Sequence, residues 1–232
     1  MRRRYDGGRN EVLDRAAHAI AQHGYHGMSM RDLARATGRG LASFYTLFGS
    51  KEDILYHLQK HALTTLTSAA ERAVAGESDP KERLFLFILN HVRYFAERPD
   101  VMRVLVQEAA SLSPWRRAEI RAEKERYYAI AEKVLRALLS DVASGPSSPL
   151  SSVEIERMTY SFFGMLNWMY GWYDPARHGP PEDLALTIHR MTLSGIAGTS
   201  PETAARAAGA VRKLDRMDRP PLIMCAAERV RR

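Results

Sequence analysis

"RATGRGLASFYTLFGSKEDIL", residues 35–55, decides how the rest of the chain is read. Gly38-Arg39-Gly40 interrupts a helical pattern, because glycine readily takes the left-handed backbone that a tight corner demands. Residues 41–48 then supply about two turns of helix, and Gly49-Ser50 ends them before a charged helix start. A helix this short buries little of its own surface. With the small residues Ala42 and Ser43 on its first turn, it reads as a helix placed to be inserted into something else.

Upstream, Val12, Leu13, Ala16, Ala17 and Ile20 recur on one helical face, and Gly24 is placed to end that helix. Ser29, with Asp32 three residues on, reads as an N-cap with a weaker form of the capping box, opening a second helix to about Thr37. Two helices joined around a glycine fit a helix-turn-helix, whose second helix lies in the DNA major groove with its N-terminal residues toward base edges. Ala42 and Ser43 would let that backbone approach, and Ser43, Tyr45 and Thr46 would offer hydroxyls. Lys51 adds a cation at the start of the next helix, where free N–H groups favour phosphate. Leu33, Ala34, Phe44 and Phe48 are the apolar residues expected to lock the unit against the first helix. The same spacing also suits a compact helical hairpin inside a bundle, and spacing alone does not choose between the two.

Charge adds direction. The chain of 232 residues carries a net +7, unevenly distributed. Residues 1–60 hold ten Lys and Arg against six Asp and Glu, residues 61–198 sixteen against seventeen, and residues 199–232 eight against four. A basic end on a neutral body suits a module that meets a polyanion, nucleic acid first. Cys225 is the single cysteine, which excludes a disulfide framework or a cysteine-based zinc site within one chain. No apolar run approaches the roughly 18 residues of a membrane span, and "MRRRYDGGRNEV" lacks the apolar stretch of a secretion signal. A cytoplasmic protein without membrane association is expected.

Helical periodicity continues almost throughout, with no alternating run long enough for a sheet. Ser50 caps a fourth helix to about Ala73, and Asp79-Pro80 starts the next, striped by Leu84, Ile88, Val92 and Phe95. Val101, Leu105, Ala109 and Leu112 mark another helix, and Ser113-Pro114 restarts a long one to about Ser140. "IERMTYSFFGMLNWMYGWY" (155–173) reads as a very apolar helix, and "DPARHGPP" separates it from a last one at about 182–197. The expected fold is all-α, a three-helix N-terminal helix-turn-helix domain joined to a larger helical bundle. Residues 1–52 would be the DNA-binding domain, 53–198 the ligand-binding and dimerisation domain, and 199–232 a basic extension.

"GYHGMSMRDLARATGRGLASFYTLFGSKEDIL" (24–55) closely resembles the DNA-binding signature of the TetR family of transcriptional regulators. The matching features are Gly24-Tyr25, the Ser29 cap, Asp32-Leu33-Ala34, the Gly38 turn, Tyr45 and Phe48, and Ser50-Lys51-Glu52. By that resemblance Tyr45 and Lys51 take phosphate contacts, while Arg31, Leu41, Ala42 and Ser43 face the groove. Three positions depart from the pattern. Arg39 replaces a usual apolar residue, Gly40 a serine-type cap, and Leu47 an aromatic or histidine. Arg39 either reaches phosphate or points into solvent. "MRRR" is read either as an arm for the minor groove or as a weakly attracted tail.

The resemblance further implies a homodimer, paired here through helices at about 154–173 and 182–197, and a ligand pocket that shifts the spacing of two DNA-reading heads. "GMLNWMYGWYDP" (164–175) and "HGPPEDLALTIHRMTLSGI" (178–196) resemble a subgroup governing fatty-acid, steroid or aromatic-acid breakdown, whose effectors are acyl-CoA thioesters. Arg103, Arg121 and Arg126 are the candidates for CoA phosphates, and Phe163, Asn167 and Trp168 for the pocket; the aromatics equally suit packing and dimer contacts. His57 and His61 are spaced i, i+4 but lack a third ligand, so neither metal nor cofactor is assigned. No nucleophile–base pair or phosphate-cradling glycine loop argues for an enzyme. The expected function is a repressor released from a palindromic operator by a small effector, most simply an acyl-CoA. The alternatives are another small hydrophobic ligand, as in efflux control, or no small effector.

Overall fold

The structure, a computed structural model, describes residues 2–142 and 151–197. Among them every regular element is a helix. Met1–Thr192 gathers into one compact unit, and Leu193–Arg232 is assigned to a second. The basic extension 199–232 therefore lies outside the described residues.

Three helices make the N-terminal head: α1 (Arg2–His23), α2 (Met30–Ala36) and α3 (Leu41–Leu47). The α1 backbone starts at Arg2, so residues 2–4 are helical. Val12, Leu13, Ala16, Ala17 and Ile20 are all buried, the face that the periodicity marks. Gly24 ends α1 at φ +74°, a conformation that a side chain resists. A full capping box opens α2: Ser29 Oγ accepts from the Asp32 N–H, and the Asp32 carboxylate accepts from the Ser29 N–H. Thr37 closes α2 by returning its hydroxyl to the Leu33 and Ala34 carbonyls, and Gly38 then turns the chain at φ +69°.

The body is built around α4 (Lys51–Ala75), which packs against α5 (Pro80–Glu97), α7 (Pro114–Val142) and, at its other side, α1. Helix α6 (Pro99–Gln107) lies on α1 and α4, and α8 (Ser152–Asn167) on α5 and α7. A single turn, α9 (Pro175–His178), precedes α10 (Pro181–Ala197).

Two helices are shorter than their apolar periodicity implies. The Val101–Leu112 pattern breaks at Glu108 into a 3-10 turn, Ala109–Ser111, ahead of Pro114. Arg117 fixes that turn by donating to the Ala110 and Leu112 carbonyls at 3.0 and 2.8 Å. The helix expected over 155–173 stops at Asn167 and tightens into a 3-10 turn, Trp168–Gly171. Gly171 and the crowded aromatics are poor helix formers, and Pro175 disfavours a helical residue before it. One short helix, α9, also interrupts the segment read as a simple separator.

Candidate functional site

The head presents a buried anchor and an exposed face. Phe44 and Phe48 are 0% and 1% exposed, edge to face at 5.5 Å, with Leu33 and Ala34 beneath them. Because these residues hold α3, its opposite side stands clear: Ala42, Ser43, Tyr45 and Thr46 are exposed, and Leu41 is half-buried at the edge. Arg31 projects into solvent from α2. The Thr46 hydroxyl donates to the Ala42 carbonyl at 3.1 Å, which leaves its oxygen as an acceptor. Arg39 folds back toward α1, its guanidinium 3.6 Å from where a Cβ on Gly8 would stand. Gly40, the N-cap of α3, has no side chain to satisfy the first N–H groups.

Lys51 differs most from expectation. Its Nζ donates to the Tyr25 and Met28 carbonyls at 3.0 and 2.9 Å and lies 4.5 Å from the Tyr25 ring centroid. The ammonium therefore ties the α1–α2 loop to α4, leaving one N–H for any phosphate. At the α4 start the Ser50 hydroxyl already accepts the Asp53 N–H. The two carboxylates there turn toward the body: Glu52 accepts from the Ser113 N–H at 2.7 Å, and Asp53 pairs with Arg116 at 2.5 Å. Hydrogen bonding from Ser113, side chain first and then N–H, with the Arg116 cation nearby, holds Glu52 below the usual carboxylate range.

A cavity of about 320 Å³ opens between α4, α5, α6, α7 and α8. Leu63, Leu66, Phe95, Met102, Ile120 and Phe163 give it an apolar wall, with Leu105, Val106, Ala109 and Ala110 along the α6 side. One face of α7 runs its length, with Arg117, Arg121 and Lys124 toward solvent and Tyr127 and Tyr128 at the enclosed end. Arg117 to Tyr128 spans ~16 Å of helix. Desolvation lowers the Lys124 ammonium although much of the side chain remains accessible, and its Nζ lies 5.9 Å from the Tyr128 ring centroid. His91 and Asn167 join the tyrosines at the inner end.

Arg121, Phe163 and Asn167 thus line the cavity as expected from sequence, whereas Arg103, Arg126 and Trp168 do not. Five residues turn a helix by about 140°, which carries Arg126 off the face that bears Arg121. Arg126 instead meets Glu123 at 3.2 Å. Arg103 is one residue, about 100°, away from the cavity-lining Met102. Trp168 sits in the 3-10 turn, 63% exposed, with its ring 5.8 Å from Tyr170. Arg117, Lys124, Tyr127, Tyr128 and His91 escaped the sequence reading. Steps of three and four along α7 from Arg121 would have found the first four.

The cavity wall also touches the head. Glu108 accepts the Tyr25 N–H at 3.3 Å and the Ser111 hydroxyl at 2.7 Å, and Ser111 lies 3.2 Å from His26 Nε2. Ala109 and Ala110, between those contacts, line the cavity. His18 on α1 lies 2.8 Å from Asp100 on α6.

Relatives agree with this layout. Residues 12–58 match the family model for bacterial regulatory proteins of the tetR family, and residues 77–196 that for the tetracyclin repressor-like C-terminal domain. The chain is 26% identical over 129 residues to the HTH-type transcriptional regulator HbdR of Aromatoleum sp. (strain CIB), covering 56% of each. It is 30% identical over 86 residues to the fatty acid metabolism regulator protein of Bacillus subtilis (strain 168), covering 37% of this chain and 44% of that one. These matches span about half the length of the two curated relatives. The crystal structure of the TetR family regulator PfmR from Thermus thermophilus superposes with a TM-score of 0.68 at 33% identity, over 78% of this chain and 93% of that one. These relatives are regulators, not enzymes. With more than half its length under the second model, the chain belongs to the TetR family of transcriptional regulators.

Proposed function

We propose that the protein is a homodimeric repressor that binds a palindromic DNA operator and leaves it when an acyl-CoA thioester enters the cavity. The observation that carries the effector is the build of the cavity: an apolar interior with Arg117, Arg121 and Lys124 along its open end. An acyl chain suits the former and CoA phosphates the latter. At about 320 Å³ the space is at the small end for ligand sites, so a short or medium acyl group is the fit. The name of the Bacillus subtilis relative, a fatty acid metabolism regulator, points the same way.

On the DNA side, Ala42, Ser43, Leu41 and Arg31 read the groove, and Tyr45, Thr46 and the remaining Lys51 N–H take phosphates. Arg39, folded toward α1, reaches the backbone beside the turn. Dimer pairing uses the large apolar side chains that one chain leaves exposed on α8 and the segment after it, Val153, Tyr160, Met165, Trp168 and Trp172. Large apolar side chains exposed together on a lone chain call for a partner.

Release follows from linkage. Two heads must stand one helical turn of DNA apart, ~34–36 Å or a multiple. A ligand pressing on Ala109 and Ala110 moves the segment that holds Tyr25 and His26. If it binds better where the heads are misplaced, DNA affinity falls by the same factor.

The test selects an operator from random duplexes and titrates CoA thioesters of graded chain length, with free CoA as control. A thioester that raises the melting temperature and displaces the operator supports the reading. Operator binding unmoved by every thioester would leave a DNA-binding regulator with another hydrophobic effector or none. Affinity without a steep fall in rising salt would remove the DNA reading itself.

A further inference from the structure

The enclosed end of the cavity carries a donor that a plain alkyl chain would leave unmet. His91 is 1% exposed and lines the cavity, ringed by Phe95, Tyr127 and Phe163 at 4.8, 6.0 and 6.3 Å between centroids. Its Nδ1 lies 3.1 Å from the Tyr127 hydroxyl, and its Nε2 is buried without a hydrogen-bond partner. Burial holds the Tyr127 phenol far above its usual range, so it keeps its proton. The Asn90 side chain also hydrogen-bonds this phenol and lowers it, the sign of an amide N–H donated to the oxygen, so the O–H itself is left to donate to His91 Nδ1. Nδ1 is then the unprotonated nitrogen, and the ring's one proton sits on Nε2.

The ring is also neutral. Burial pushes His91 down to about 3, and the Leu166 carbonyl offsets this in part without meeting Nε2 in hydrogen-bonding geometry. A single N–H with no acceptor, enclosed by rings, is costly to leave unpaired. It favours a neutral oxygen over a carboxylate, because the cations of the cavity stand toward its open end.

We propose that His91 Nε2–H is a ligand-recognition donor, and that the buried part of the effector carries a neutral carbonyl or hydroxyl oxygen rather than an unbroken alkyl chain. This rests on the cavity being the effector site, but not on the effector being a CoA thioester. Tyr127 is the positioning residue, since its O–H fixes which ring nitrogen carries the proton.

The experiment titrates the full chain with acetophenone and ethylbenzene, near-isosteric probes that differ by one oxygen. Ethylbenzene leaves water more readily, so the readout is the ketone-to-hydrocarbon affinity ratio in the wild type divided by that in His91→Phe. A quotient of about ten favouring the ketone is expected. His91→Gln, whose amide N–H can stand near the place of Nε2, should retain a preference for the ketone. A quotient of one overturns the proposal, as does a wild type that binds neither probe. Should His91→Phe fail to fold, nitrogen-15 NMR of the wild type still decides: a proton on Nε2 supports the assignment, and one on Nδ1 overturns it. A tenfold quotient alongside indifference to every acyl-CoA would sink the thioester reading while leaving this one standing.

Discussion

In the head, Leu33, Ala34, Phe44 and Phe48 are at most 2% exposed, and Ala42, Ser43, Tyr45 and Thr46, proposed to meet DNA, stand outside them. In the body the arrangement is inverted: His91, Tyr127 and Asn167 line a hollow of about 320 Å³ with mostly apolar walls, and Arg117, Arg121 and Lys124 stand toward its open end. A reader of DNA has to hold a two-turn helix at a fixed angle, so its interior is filled and its chemistry is external. A receptor for a small molecule has to keep room, so it gives up packing where the ligand goes and puts its polar groups inside. The inversion also assigns different kinds of sensitivity to the two regions.

Packing should dominate in the head. Phe44→Ala removes a ring with no exposed surface from beneath the recognition helix, and large-to-small changes of this kind cost about 3–5 kcal/mol. The expected result in urea unfolding is a large fall in midpoint, with operator binding lost because α3 no longer has a fixed seat. A cost below about 1 kcal/mol would mean that the head is loosely packed, and the contrast would collapse.

Lys51→Met sharpens the same contrast, because this cation now has two possible tasks. As an internal tie to the Tyr25 and Met28 carbonyls it is worth about 1.5–3 kcal/mol, the range of charge-assisted hydrogen bonds. As a phosphate contact its loss would flatten the salt dependence of DNA binding by about one unit of slope. With one N–H left for phosphate, the geometry predicts lower stability, weaker binding and a slope flattened by less than one unit. A slope reduced by about one at unchanged stability would return Lys51 to the DNA surface.

The two regions also differ in how plainly the chain announces them. The head is written in local signals: a 3.6-residue apolar period from Val12 to Ile20, a capping serine at 29, and glycines at the two positive-φ corners. Each depends on neighbours within four residues, so the sequence order carries it. A hollow depends on what five helices leave empty, and no local pattern states that. His91 continues the Leu84, Ile88, Phe95 stripe and reads there as one more core position. Arg126 and Arg121 look equivalent until the phase of α7 against the cavity is known. The break at Glu108 was invisible because the Arg117 contacts that stabilise it are tertiary bonds, not propensities.

Protonation should distinguish the body. His91 is depressed from 6.5 to about 3 by burial, so the unfolded chain takes up a proton in that window that the folded chain refuses. Stability from this group is complete above pH 6.5 and is lost as pH falls toward 3, at about 1.4 kcal/mol per unit. Between pH 6.5 and 5 the loss is about 1.6 kcal/mol. Chemical denaturation across that range should show His91→Phe with a slope shallower by one proton. His57 and His61 are also lowered by burial, but they titrate in both proteins and cancel in the difference. Equal slopes would place His91 in a wetter setting than the cavity wall provides.

The smallest effect returns to the recognition helix. α3 has only seven residues, and its N-cap Gly40 offers no side-chain acceptor, whereas α2 and α4 begin with serine caps. Gly40 sits at φ −66° and ψ 142°, an extended conformation open to any residue, and a Cβ there would meet nothing within 4 Å. Gly40→Ser should therefore supply the missing cap without strain and stabilise the chain by a few tenths of a kcal/mol. Glycine at this cap keeps the backbone bare where the turn would approach phosphate, so a hydroxymethyl group has a second consequence. If the turn lies against DNA, the variant should melt slightly higher while its operator affinity stays level or falls. A rise in both would show that the head is limited by order rather than by access, and that its bare corner is not what the DNA meets.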